Sequence, residues 1–137
     1  MPVPTRGDKV NNFIYTLADY IKQLALDYPV TIGEFDKKSS LTIKPAGSEV
    51  IREYMDGMAD IRLPFEIQIK TKNQAEALNV LQNVLNHVRN IDDFIKKSNR
   101  KDYVLLNTTI DQIPVFQTSK GNYVYYTSKL TVDITVV

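Results

Sequence analysis

Apolar and polar positions along the chain follow two rhythms, and each predicts an element. Val10, Phe13, Ile14, Leu17, Ile21, Leu24 and Ala25 recur at spacings of three and four. That is the stripe of an amphipathic helix running from about Asp8 to Ala25. Lys9, Asn12, Asp19, Lys22 and Gln23 fall largely on its other face. Asp8 is placed to cap the first-turn N–H groups, and Pro29 prevents a simple continuation. Residues 1–7 carry Pro2 and Pro4, which lack an N–H and fix φ, so an extended N-terminal arm is predicted ahead of a single domain over 8–137. A second stripe, Ala77, Leu78, Leu81, Val84, Leu85, Val88, Ile91, Phe94 and Ile95, predicts a helix from Asn73 to Lys97. Asn73 is its N-cap, and Asn90–Asp93 marks a bend or a new short helix.

The second rhythm has period two. Ile61, Leu63, Phe65, Ile67 and Ile69 alternate with Arg62, Pro64, Glu66, Gln68 and Lys70, which puts the apolar set on one face of a strand. Pro64 cannot donate to a ladder, so this strand is expected at an edge or bulged there. Further strands are predicted at Val30–Phe35, Leu41–Lys44, Glu49–Tyr54, Tyr103–Ile110, Val115–Gln117 and Tyr123–Val136. Turns are predicted at Asp36–Lys38, Asp56-Gly57 and Lys120–Asn122, with a break at Pro45–Ser48. The sum is an α+β domain, a predominantly antiparallel or mixed sheet packed against two main helices. Phe13, Leu17, Leu81 and Leu85 are the expected core.

Composition narrows the chemistry. The chain has 137 residues, the size of one domain, and no cysteine, which excludes disulfides, thiolate metal sites and cysteine nucleophiles. A net charge of +1 gives no bulk field to hold a nucleic acid. No apolar run approaches a membrane span, and residues 1–6 do not lead into a signal-peptide core.

No catalytic, cofactor or metal constellation emerges. His87, the single histidine, reads as a helix residue without a second histidine to share a metal. Asp56 and Asp60 straddle a turn that they shape. Gly33, Gly47, Gly57 and Gly121 do not form a phosphate-binding loop. Arg89, Lys96, Lys97, Arg100 and Lys101 form a basic region that suits the second helix's C-terminus. Tyr54, Tyr103, Tyr123, Tyr125 and Tyr126 read as a packing set for the core or a subunit contact, more than as a nucleic-acid platform. Tyr125 and Tyr126 must point to opposite faces of a regular strand, so at least one is available outside the core.

The segment Val50–Lys70, followed by the Ala75–Ile95 helix and the Tyr123–Val136 strand, resembles the phage minor capsid, or tail-terminator-like, family of long-tailed phages and prophages of Gram-positive bacteria. The resemblance covers most of the chain and rests on the segment pattern and the order of elements. It implies a structural virion subunit that forms a homo-hexameric ring on the tail tube and ends its polymerisation. The ring would join the tail to head-completion or stopper proteins and let double-stranded DNA pass through. It also implies assembly in the bacterial host cytoplasm, residence at the head–tail junction, and no enzyme activity, cofactor or membrane partner. A neighbouring head-completion or stopper role fits the same residues, as does a cytoplasmic binding subunit unrelated to phages. A long edge strand is a natural pairing surface, so the candidate interface residues are Arg62, Pro64, Glu66 and Gln68, with Tyr125 and Arg89. Arg62 and Glu66 are expected to meet complementary charges on a neighbouring subunit.

Overall fold

A computed structural model of the chain describes residues 5–24, 28–35, 37–97 and 102–137. Helix α1 (Arg6–Leu24) starts two residues ahead of its expected N-terminus. Thr5 and Asp8 cap each other: the Thr5 N–H donates to the Asp8 carboxylate at 2.9 Å, and the Asp8 N–H donates to Thr5 Oγ1 at 3.1 Å. This reciprocal box starts the helix despite the upstream prolines, and it holds the Asp8 carboxyl below its ordinary pKa. Thr5–Gly7 are therefore cap and first turn rather than extended arm. Residues 1–4, and Ala25 of the expected stripe, lie outside the described residues.

The strands are β1 (Val30–Ile32), β2 (Ser40–Pro45), β3 (Glu49–Glu53), β4 (Ala59–Thr71), β5 (Tyr103–Lys120) and β6 (Tyr123–Val136). Helices α2 (Gln74–Val88) and α3 (Ile91–Lys97) fall between β4 and β5, so the bend expected at Asn90–Asp93 is a break between two helices. Asn73 caps α2, its Oδ1 accepting the Glu76 N–H at 3.1 Å. The six strands form one mixed sheet in the order β1-β2-β4-β6-β5, with β3 also on β4. Every pairing is antiparallel except β1 with β2. β1 and β2 therefore do not form a hairpin. Asp36 of the turn expected there lies outside the described residues.

The expected edge strand is central. β4 pairs along its whole length with β6, and on its other side with β3 and then β2. Pro64 sits at the seam, after Arg62 pairs Glu49 and before Phe65 pairs Pro45. Its carbonyl accepts the Ala46 N–H at 2.8 Å, in the link between β2 and β3. A strand residue points its N–H and C=O to the same side, so the missing donor falls where neighbouring strands change over and no ladder bond is lost. The outer strands are β1 and β5, β3 pairs on one side only, and β5 is the longest of the three. It runs for 18 residues where two short strands were expected, with register shifts near Leu106, Asp111, Ile113-Pro114 and Gln117.

One sheet face carries the core. Phe13, Leu17 and Ile21 of α1 and Ala77, Leu81, Val84, Leu85 and Val88 of α2 are buried with Leu41, Ile43, Ile61–Ile69 at alternate positions, Leu130, Val132 and Ile134. Leu78, counted in the expected α2 stripe, is exposed. Phe13 meets the edge of Tyr103 with ring centroids 5.4 Å apart. The Tyr103 hydroxyl donates to Thr16 at 2.6 Å, which satisfies the polar end of a buried ring. Tyr20 ties α1 to the end of α2 by donating to the His87 carbonyl at 2.6 Å.

The β3–β4 hairpin closes through a three-residue loop, Met55-Asp56-Gly57. The Gly57 N–H donates to the Tyr54 carbonyl at 3.1 Å and the Tyr54 N–H to the Met58 carbonyl at 2.9 Å, while Asp56 Oδ1 accepts the Met58 N–H at 3.1 Å. Gly57 closes the loop at φ +89°, as this hairpin type demands. No atom lies within 4 Å of the place where its Cβ would stand, so substitution meets backbone strain alone. Gly57→Ala is expected to cost about 1–2 kcal/mol and Gly57→Val more, because β-branching tolerates positive φ least. Urea unfolding of the two variants checks the order.

Candidate interaction surface

The even positions of β4 and the odd positions of β6 share the sheet face that the helices leave uncovered. Across the pairing, Asp60 stands opposite Thr135, Arg62 opposite Asp133, Pro64 opposite Thr131, Glu66 opposite Lys129, Gln68 opposite Thr127 and Lys70 opposite Tyr125. Five of the six candidate interface residues thus gather on one face: Arg62, Pro64, Glu66, Gln68 and Tyr125. Arg89 does not join them. It is the exposed C-cap of α2, on the helical layer.

Arg62 and Glu66 on this face are engaged within the chain. The Arg62 guanidinium donates through Nε to Asp133 Oδ1 at 3.0 Å and through Nη2 to Oδ2 at 3.4 Å, a two-point contact that holds it more firmly charged. Glu66 lies 3.9 Å from the Lys129 ammonium. Both were expected to await a neighbouring subunit, and both already have a cross-strand partner. A double reversal, Arg62→Glu with Glu66→Arg, would set like charges opposite Asp133 and Lys129 and so strain the fold itself. Gln68, nearly fully buried, reaches Gln117 at 3.3 Å and Glu66 at 3.4 Å. Tyr125 packs edge-on against Phe35 with centroids 5.4 Å apart, which uses the free side of the Tyr125–Tyr126 pair. Tyr126 is buried on the opposite face against Phe116.

The face is polarised along its strands. Glu49, Asp60, Asp111 and Asp133 lie towards the β3 end, with Arg52 and Arg62 among them. Lys44, Lys70, Lys72 and Lys120 lie towards the β2 end. At the acidic end, Asp60 accepts hydrogen bonds from the Thr135 hydroxyl at 2.6 Å and the Tyr54 hydroxyl at 2.8 Å. The Thr135 bond, then the Tyr54 bond, holds the Asp60 carboxyl below its ordinary value, and the same contact raises the Tyr54 phenol. A depressed folded pKa contributes stability that is present above the unfolded value, near 3.9, and is lost as pH falls through the folded one. Thr135→Val is therefore expected to return the Asp60 pKa towards the ordinary range, with a smaller rise for Tyr54→Phe. A carboxyl-carbon NMR titration reads this directly, and an unmoved Asp60 in both variants contradicts the assignment.

Two apolar surfaces flank this face. Along β5, Val104, Leu106, Ile113 and Phe116 are exposed, Ile113 to 69%. Across the sheet, the β3 hairpin exposes Val50, Ile51, Tyr54 and Met55, the last completely. Sequence reasoning missed both, and it missed Asp133 and Lys129 as partners. The alternation of Lys129, Thr131, Asp133 and Thr135 with Leu130, Val132 and Ile134 is the signal that would have placed them on the outer face.

His87 is exposed, its Nδ1 2.8 Å from the Asn83 carbonyl one helical turn earlier. Asp56 serves the hairpin loop. Among the described residues, no three histidine, aspartate or glutamate side chains gather as a metal site, and no helix is long and apolar enough to cross a membrane. Of the basic region, Lys96 pairs with Asp92 at 3.1 Å, while Arg100 and Lys101 lie outside the described residues.

The fold and surface define a mixed α+β domain with one helix-covered sheet face, one open polar face and two exposed apolar edges. Compared with known proteins, the chain matches no protein-family model and no curated protein sequence.

Proposed function

We propose that this chain is a structural ring subunit of a phage tail, one that caps the tail tube, ends its polymerisation and presents a surface to head-completion proteins. The observation that carries the reading is the pair of unlike apolar surfaces at opposite sides of the sheet, the β5 edge and the β3 hairpin. A closed ring needs heterologous contacts, in which one surface of each copy meets a different surface of the next. β5 also offers an unpaired row of backbone groups to a neighbour, a means of association independent of side-chain chemistry. The resemblance of Val50–Lys70 supplies the virion context. In this reading the contact shifts from Arg62 and Glu66 to the edges, and the open polar face is left for the channel or a partner ring.

Native mass spectrometry and negative-stain imaging test the proposal, on the protein alone and mixed with tail tubes from a long-tailed phage of a Gram-positive host. Closed rings seated on tube ends, with tube length limited in their presence, are the expected result. Rings that bind head-completion proteins and ignore tubes would move the assignment to the stopper position. A protein that stays monomeric with both would overturn the ring.

A further inference from the structure

At its β2 end the open face interleaves lysines with aromatic rings. The Lys44 ammonium stands 5.6 Å from the centre of the Phe35 ring. Lys70 and Lys72 stand 4.6 and 5.5 Å from the centre of the Tyr123 ring. Lys120 pairs with Tyr123 across the β5–β6 hairpin, beside the tight turn that Gly121 makes at φ +59°. Phe35, Lys44, Gln68, Gln117, Lys120 and Tyr125 line a shallow cavity of about 270 Å³. The rings of Phe35, Tyr123 and Tyr125 are each only partly buried. Lys70 also donates to the Lys37 carbonyl at 3.1 Å.

Lys44 stands opposite Glu66 in the β2–β4 register but forms no ion pair with it. Among the described residues Lys44, Lys72 and Lys120 have no carboxylate partner, whereas Arg62 and Lys129 elsewhere on the face do. Contact with an aromatic face favours an ammonium over the ring and leaves its remaining N–H donors for an anion. All the cations of this patch are lysines. Lysine meets a phosphate as a point charge, as it would a carboxylate, so the rings beside these lysines decide between the two. Aromatic rings among such lysines add a surface on which bases can pack, and only an unpaired strand exposes its bases.

We propose that this lysine–aromatic end of the sheet binds single-stranded nucleic acid, with Lys44, Lys72 and Lys120 on phosphates and the rings of Phe35, Tyr123 and Tyr125 against bases. The site stands on its own residues and is independent of the ring reading.

Fluorescence anisotropy of a labelled short oligothymidylate with the full chain tests it. Binding is expected at low salt, with log K falling against log salt at a slope of about −2 for three phosphate contacts at ~0.7 each. The triple variant Lys44→Gln, Lys72→Gln, Lys120→Gln is expected to weaken binding at least about tenfold and to flatten the slope. These side chains are outside the core, and an unchanged thermal midpoint checks that the fold is kept. Tyr123→Leu is expected to weaken binding at least about fivefold with the slope preserved. Any of three results overturns the proposal: no binding at low salt, triple-variant affinity equal to the parent, or equal affinity for single strand, duplex and polyglutamate.

Discussion

Leu81→Ala is expected to lower the unfolding free energy by about 2–5 kcal/mol, the range for a buried leucine cut back to alanine. Leu81 is fully buried where α2 lies on the sheet, among Leu85, Phe13 and the apolar positions of β4. The loss has two parts, the transfer energy of the missing methyl and methylene groups and the cavity they leave. Helix and sheet hold the walls apart, so the cavity cannot collapse freely. Against a total stability of about 5–15 kcal/mol for a domain of this size, that is a large fraction. The thermal midpoint should fall by roughly 8–20 °C. Asn79→Ala, at an exposed position of the same helix, is the control. It should change stability by less than about 0.5 kcal/mol, in the stabilising direction, because alanine is the better helix former. A Leu81→Ala midpoint matching the control would contradict the packing of α2 on the sheet.

The helical layer was legible because helices bury by local rule. A stripe at spacings of three and four requires no knowledge of what covers it, so Phe13, Leu17, Leu81 and Leu85 were placed from sequence alone. The Asn73 cap and the break near Asn90 were legible for the same reason. The sheet was legible strand by strand but not in its order. Alternation along Ile61–Lys70 gives the face each side chain takes and is silent about the neighbours of the backbone. Pro64 reads as a sign of an edge, yet its missing donor falls at the seam between β2 and β3. Bulges hid β5: each register shift resets the period, so an 18-residue strand reads as two fragments around Pro114. The ion pairs were out of reach for another reason. Arg62 and Asp133 are 71 residues apart, and no local pattern joins a charge to a partner that only the sheet register supplies.

The correction of the edge changes where a disruptive substitution belongs, and it yields the prediction with the largest effect on assembly. Leu106→Lys with Ile113→Lys is expected to abolish ring formation while leaving the monomer folded. Both side chains lie at register shifts of β5 and are more than half exposed, Leu106 at 51% and Ile113 at 69%, so the subunit loses little by their removal. Lysine on an edge strand also opposes pairing directly, since a neighbour would have to desolvate it. Covering half of each apolar side chain at a contact contributes on the order of 1 kcal/mol, so the pair amounts to about 2 kcal/mol, roughly thirtyfold in each contact. Ring closure compounds that loss around the circle. Val50→Lys with Met55→Lys, on the exposed β3 hairpin, should remove the opposite surface with the same outcome. The informative measurement is the mixture of the two variants, followed by native mass spectrometry. Each keeps the surface the other has lost, so a heterologous contact gives one competent junction and the mixture forms heterodimers that cannot close. If β5 instead pairs with β5 of a neighbour, the hairpin variant alone should form homodimers and the mixture should add nothing. That outcome would replace a ring with a two-fold dimer and remove the tail-cap reading.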